Sequence, residues 1–146
     1  PSVRKAEMIR DLKALMGTEI VHFFYWKSDG TLRGAYGTRD PDLIREAIEK
    51  GVTLEICPTS NVQCLTQPSY EAHPIKRLFD MGLHVTVSTD NPVIAGVSVE
   101  DEYDHLKESL GFTDKELAKM NYYAVEAAFC SEEEKERLKK KIEPYL

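Results

Sequence analysis

Cysteine is scarce in this chain, long apolar runs are absent and basic charge is in deficit, and each shortage closes a class of function. Three cysteines, Cys57, Cys64 and Cys130, make neither an even set nor a Cys-x-x-Cys pair. A disulfide framework is therefore not expected, and reduced thiols in a cytoplasmic setting are. No apolar stretch approaches the roughly 18 residues of a membrane span. The net charge of −6 argues against a protein that tracks nucleic-acid phosphates, because such binding needs clustered Lys and Arg. The one basic cluster, Lys139 to Lys141, reads as part of a solvated helix face. The amino terminus is an amphipathic charged stretch, read as carrying no signal peptide.

The 146 residues are one domain's length, and 1–146 is expected to fold around a single core. Two strand-like runs organise it, Val52-Thr-Leu-Glu-Ile-Cys-Pro-Thr-Ser-Asn61 and Leu83-His-Val-Thr-Val-Ser-Thr-Asp-Asn-Pro92, and each ends in a polar cluster. Each follows a helical stretch closed by glycine, Gly51 and Gly82. The order helix, strand, helix, strand makes the two strands parallel, with their carboxyl ends on one side. That side carries the chemistry in α/β folds.

Ahead of this, residues 2–16 carry one apolar stripe at helical spacing. The run Ile20-Val-His-Phe-Phe-Tyr-Trp26, the turn signal Ser28-Asp-Gly30 and the run Thr31-Leu-Arg-Gly-Ala-Tyr36 predict a β-hairpin. Asp40 before Pro41 predicts a helix start, with Leu43, Ile44, Ala47 and Ile48 as its stripe. Residues 58–70 have no period and predict a loop; Pro74 opens the next helix. After Pro92 the pattern is helical only. Ser98 with Asp101, Thr113 with Glu116 and Ser131 with Glu134 show capping-box spacing. Glu133 with Arg137 and Glu136 with Lys140 predict i,i+4 pairs in the last helix.

The fold class expected is α/β, a four-stranded, mostly parallel sheet with one antiparallel hairpin strand. Its strands fall near 19–27, 31–37, 52–57 and 84–89, with flanking helices and a C-terminal helical cluster.

Residues 38–143 carry Leu54-Glu-Ile-Cys-Pro-Thr-Ser-Asn-Val62, His73-Pro-Ile-Lys76, Ser88-Thr-Asp-Asn-Pro92, Asp101-Glu-Tyr103 and Ala127-Ala-Phe-Cys-Ser-Glu-Glu-Glu-Lys135. These resemble the C-terminal part of the adenosine deaminase family. The resemblance implies the last two strands and closing helices of an eight-stranded β/α barrel, so that this chain would be half a barrel. It also implies zinc-assisted hydrolysis of the purine 6-amino group, in which the metal lowers the pKa of a bound water. On that basis Asp90 stands at the zinc-binding aspartate. Asn91 replaces the second aspartate of the family's Asp-Asp-Pro, which contacts a purine ring nitrogen. Asn61 joins Asp90 and Asn91 on a rim suited to substrate.

The resemblance breaks where the metal is concerned. No His-x-His pair and no His-Ala-Gly-Glu stretch is present, and Tyr36 stands where the family's Arg-x-Gly-His-Gly places its water-activating histidine. Asp90 alone cannot hold zinc, because zinc sites need at least three protein ligands. Residues 1–37 differ in apparent origin; the part from 6 to 44 weakly resembles a small SH3-like β-barrel family, which puts a junction at Gly37-Thr38. A chimeric or engineered half-barrel is expected, with a natural remnant as the alternative.

Each candidate has a plainer role. Asp90-Asn91-Pro92 can be a turn; His73 can cap its helix; His22, His84 and His105 are expected to be structural. Cys57 can be a small buried hydrophobe or, with a lowered pKa, a nucleophile. The run Glu100 to Asp104 lacks calcium-loop spacing. The expected function is a non-catalytic scaffold derived from a deaminase half-barrel, without cofactor. The alternatives are a zinc-dependent purine nucleoside deaminase completed by another chain and a purine-binding module. A symmetric homodimer is the expected assembly, with neither nucleic acid nor membrane as partner.

Overall fold

The computed structural model describes residues 40–146, the backbone of 21–26 and 32–37, and residues 10, 11, 14 and 17. The helix expected over 2–16 and the turn at 28–30 lie outside the described residues, apart from residues 10, 11 and 14, which are helical. The chain divides between Lys50 and Gly51 into two units.

In the first unit β1 (Val21–Trp26) and β2 (Leu32–Gly37) pair antiparallel, in register from Val21 opposite Gly37 to Trp26 opposite Leu32. This is the predicted hairpin. Helix α1 (Pro41–Glu49) follows. Asp40 accepts the Asp42 N–H at 2.9 Å, and Pro41 occupies the first turn, where its missing N–H costs nothing. Leu43, Ile44, Ala47 and Ile48 are its half-buried positions, which is the stripe read from their spacing.

In the second unit β3 (Thr53–Ile56) and β4 (His84–Val87) pair parallel, Thr53 opposite His84 through Ile56 opposite Val87. The crossover between them holds a short helix α2 (Pro58–Gln63), a loop, and helix α3 (Ile75–Asp80). Four helices follow β4: α4 (Pro92–Ala95), α5 (Val99–Leu110), α6 (Asp114–Ala127) and α7 (Glu132–Ile142), with a closing 3₁₀ turn at Glu143–Tyr145.

The architecture is therefore mixed helix and sheet with a small parallel sheet, as expected of part of a β/α barrel. The single four-stranded sheet is not what forms among the described residues, because the strands make two sheets of two. A hairpin satisfies its facing backbone groups by local pairing, so nothing in its own pattern requires a third strand. The loop expected over 58–70 also needs correction, since it begins with α2. That helix is less than two turns long, too short for its apolar spacing to show, and Pro58 was its one local signal.

The core of the second unit lies between β4 and the helices α3, α5 and α6. Ile75, Val85 and Leu106 are fully buried, and Met120, Leu83, Phe112, Leu117 and Ala118 are nearly so. Val85 and Thr86 point to opposite faces of β4 and both are buried, as expected of a parallel strand covered on two sides. Phe79 of α3 meets Phe112 edge to face at 5.6 Å, and Lys76 lies over both rings while bonding Asp80 and Glu116. His84 stacks on Tyr123 of α6 with ring centroids 4.0 Å apart.

The helix starts follow the capping residues. Ser98 with Asp101 and Thr113 with Glu116 form reciprocal capping boxes, whereas Ser131 accepts from Glu134 without the return bond. In α7 the pairs are Glu134 with Arg137 and Glu132 with Lys135, one residue closer than the i,i+4 pairs expected. Residues three apart are equally near on a helix; Glu136 likewise meets Lys139 in place of Lys140, and Lys139 also reaches Glu126 and the Tyr122 ring of α6. Among the described residues no helix is long and apolar enough to cross a membrane.

Thr113→Ala removes both the acceptor for the Glu116 N–H and the hydroxyl that donates to the Glu116 carboxylate at 3.0 Å. The expected loss is about 1 kcal/mol, read as a lower urea midpoint with an unchanged slope.

Candidate functional site

Parallel pairing brings the carboxyl ends of β3 and β4 to one rim. After β3 the chain turns at Cys57 into α2, and after β4 it passes Ser88 and Thr89 to Asp90. Asp90 is exposed and lies in the left-handed region, with φ of 59°. Aspartate tolerates that conformation better than most side chains. Its carboxylate accepts the Ser60 hydroxyl at 2.9 Å, so α2 and the β4 rim are tied directly.

Asn91 has a different task from the one its motif suggests. Its Oδ1 accepts the N–H groups of Val93 and Ile94, both at 3.1 Å, and so caps α4. Short polar side chains before proline do this readily, because they satisfy donors that the first helical turn leaves free. Gln63 at the end of α2 donates to the Ala95 carbonyl at 2.9 Å and joins α2 to α4.

Asn61 faces His73, with its carboxamide nitrogen 3.0 Å from Nε2. His73 Nδ1 accepts the Ile75 N–H at 3.2 Å, so the neutral ring carries its proton on Nε2. The contact becomes a hydrogen bond with the carboxamide turned over, its oxygen meeting the Nε2 proton. His73 is buried, and burial pushes its pKa below the ordinary value. His73 thus caps the start of α3, and the rim residue Asn61 rests on it.

Three further residues complete this region, and sequence reasoning did not single them out. Glu102 of α5 is fully buried, and both its oxygens lie within hydrogen-bond distance of the Thr59 N–H, at 3.2 and 3.1 Å. Burial pushes its pKa up, against the lowering effect of those bonds. The Thr59 hydroxyl pairs with the Tyr70 hydroxyl at 2.8 Å, and the Tyr70 ring stacks on His105 with centroids 4.4 Å apart. Glu102 lies within the Asp101-Glu-Tyr103 run, which was the only signal available. Its partner is 43 residues away, beyond any local pattern.

Cys57 is half-buried at the N-cap of α2 and offers no side-chain cap. Burial pushes its thiol pKa up, with a hydrogen bond to Ser88 opposing and the charges of Asp90 and Glu55 adding to the rise. A raised thiol pKa is the reverse of an activated nucleophile. His84 and His105 are ring-stacking residues. Tyr36 and His22 lie on strands of which only the backbone is described.

Among the described residues no three His, Cys, Asp or Glu side chains gather as a metal site. Asp90, with a serine hydroxyl as its neighbour, does not fit zinc on its own. Leu65, Val93 and Ile94, which follow α2 or lie in α4, are strongly exposed, and Leu65 also has a positive φ of 57°.

A rim of this kind, at the carboxyl ends of parallel strands, is where α/β barrels keep their reacting groups. The family model for adenosine deaminase matches residues 31–145, and this chain belongs to the adenosine deaminase family. It is 39% identical over 105 residues to the adenine deaminase of Sinorhizobium medicae, covering 72% of this chain and 32% of that protein. With the adenosine deaminase of Plasmodium gallinaceum it shares 40% over 99 residues, covering 68% and 27%. The crystal structure of adenine deaminase from Arthrobacter aurescens superposes with a TM-score of 0.69 at 27% identity, over 73% of this chain and 32% of that one. The chain spans about a third of the length of the relatives it matches.

The family match begins inside the hairpin and runs through Gly37-Thr38 without a break. The junction expected there, and with it the separate SH3-like origin of β2, therefore finds no support.

Two outcomes follow. Asp90→Asn keeps an acceptor for Ser60 and suits the left-handed backbone, so stability should change by less than about 0.5 kcal/mol, measured by urea unfolding. The second concerns pH: His73 resists protonation in the folded state, so the unfolded chain binds the extra proton first. Stability should fall as pH drops below the ordinary value of 6.5 toward the lower folded pKa. His73→Gln should flatten that slope in unfolding curves between pH 7.5 and 5.5, on the order of the His titration range.

Proposed function

We propose that these 146 residues form a deaminase-family scaffold that does not turn over purines by itself. The observation that carries this reading is the state of Asp90. It is the one carboxylate at the position of the family's metal ligand, it accepts the Ser60 hydroxyl, and no metal-binding set gathers around it among the described residues. Nothing in that arrangement supplies a nucleophilic water, so no hydrolytic step is derived through zinc.

Asn91 spends its oxygen on α4, which leaves the carboxamide nitrogen as the group that can donate to a purine ring nitrogen; its capping role therefore bears on ligand binding and not on turnover. The family members named adenine and adenosine deaminase make a purine the natural ligand class for a complete site.

One observation favours a second reading, a zinc-dependent purine nucleoside deaminase completed by another chain. Asp90 holds a left-handed backbone at the rim, and Leu65, Val93 and Ile94 leave apolar surface open. A backbone kept in a sparsely populated region is the usual mark of a constrained site.

Ultraviolet absorbance of adenosine, and separately adenine, with the purified chain and added zinc tests both. No conversion is expected from the chain alone. Metal-dependent formation of inosine or hypoxanthine that Asp90→Ala abolishes would overturn the scaffold reading.

A further inference from the structure

We infer that Glu102 is a positioning residue, whose buried carboxylate holds the first turn of α2 so that Ser60 meets Asp90 and Asn61 meets His73. A buried carboxylate costs free energy unless it is paired, and no Lys or Arg among the described residues forms an ion pair with Glu102. An apolar side chain of the same size would fill the space at less cost. What the carboxylate alone provides is an acceptor, and its partner is the Thr59 N–H.

That N–H is the first donor of α2. Pro58 has none, and Cys57 at the N-cap gives no side-chain bond. A serine or aspartate at 57 would have answered the need locally. An acceptor from α5, 43 residues away, also fixes where α2 stands relative to α5. A second strut runs from the same helix, through His105 and the Tyr70 ring to the Thr59 hydroxyl. Thr59 is thus held by both backbone and side chain. The next two residues are the ones that reach the rim, Ser60 to Asp90 at 2.9 Å and Asn61 to His73 at 3.0 Å.

The relevance to function rests on the deaminase-type reading of the Asp90 rim. The placement of α2 does not, so the activity assay and the experiment below can fail separately.

The test compares Glu102→Met with Glu102→Gln in the full 146-residue chain, by amide hydrogen exchange followed by NMR. The two variants have similar volume, and only glutamine keeps an acceptor. Losing one such hydrogen bond should speed exchange in α2, at the Asn61 and Cys64 amides, by about tenfold beyond any change at the Thr86 amide, which faces β3. Glu102→Gln should keep α2 protected within about threefold of the parent. Leu106→Ala, one turn along α5 and equally buried, should shift all protected amides together. The inference is overturned if Glu102→Met leaves α2 protected, if both variants lose α2 protection alike, or if Glu102→Met slackens the whole unit as Leu106→Ala does. Failure of Glu102→Met to fold beside a folded Glu102→Gln would assign the acceptor to the fold as a whole and would also overturn it.

Discussion

The second unit depends on the parallel pairing of β3 with β4. Parallel neighbours cannot be joined by a tight turn, so the chain must cross over, and the crossover here spends its residues on α2, the Tyr70 loop and α3. The same constraint puts both carboxyl ends on one rim. Every contact of the candidate site follows from it: Ser60 and Asn61 come from the segment after β3, Asp90 and Asn91 from the segment after β4, and His73 from the crossover itself. With only two strands, the sheet cannot hold that rim rigid by hydrogen bonding alone, and the helices α5 and α6 supply the rest of the support through the core around Leu106, Met120 and Val85.

The rim lies within the stretch matched to the family, and its polar groups are largely committed to one another. Asp90 takes a serine hydroxyl, Asn91 caps a helix and Asn61 rests on a histidine. Such internal satisfaction is what stability requires of polar groups near a core. It also means that the side chains matching the family motif have protein partners of their own. The chain's share of its relatives, about a third, is consistent with a motif that carries one part of a larger constellation.

Several features are legible in the residue pattern alone. The hairpin follows from β-branched and aromatic runs around a turn signal, and α1 from Asp40-Pro41 and its stripe. The starts of α5 and α6 follow from capping boxes, because the cap and its partner lie three residues apart. The parallel order of β3 and β4 follows from helix and strand alternation. These are local or nearest-neighbour regularities, and local physics suffices for them. The i,i+4 pairs in α7 show the limit: sequence spacing proposes Glu133 with Arg137, but side-chain rotamers and the pull of α6 on Lys139 select other partners.

Composition and spacing thus determined on their own the class of each long element and the lack of any long apolar run, while the family came through the resemblance of particular motifs. Tertiary structure alone decided what α2 is, how the strands divide into two sheets, and which partner each rim residue takes. The physical reason is range. A helix of less than two turns has too few residues to display a period, and its first N–H is satisfied by Glu102 from beyond the crossover. Residue type did not say what the Asn91 oxygen would meet; the backbone of α4 brought two N–H groups to it.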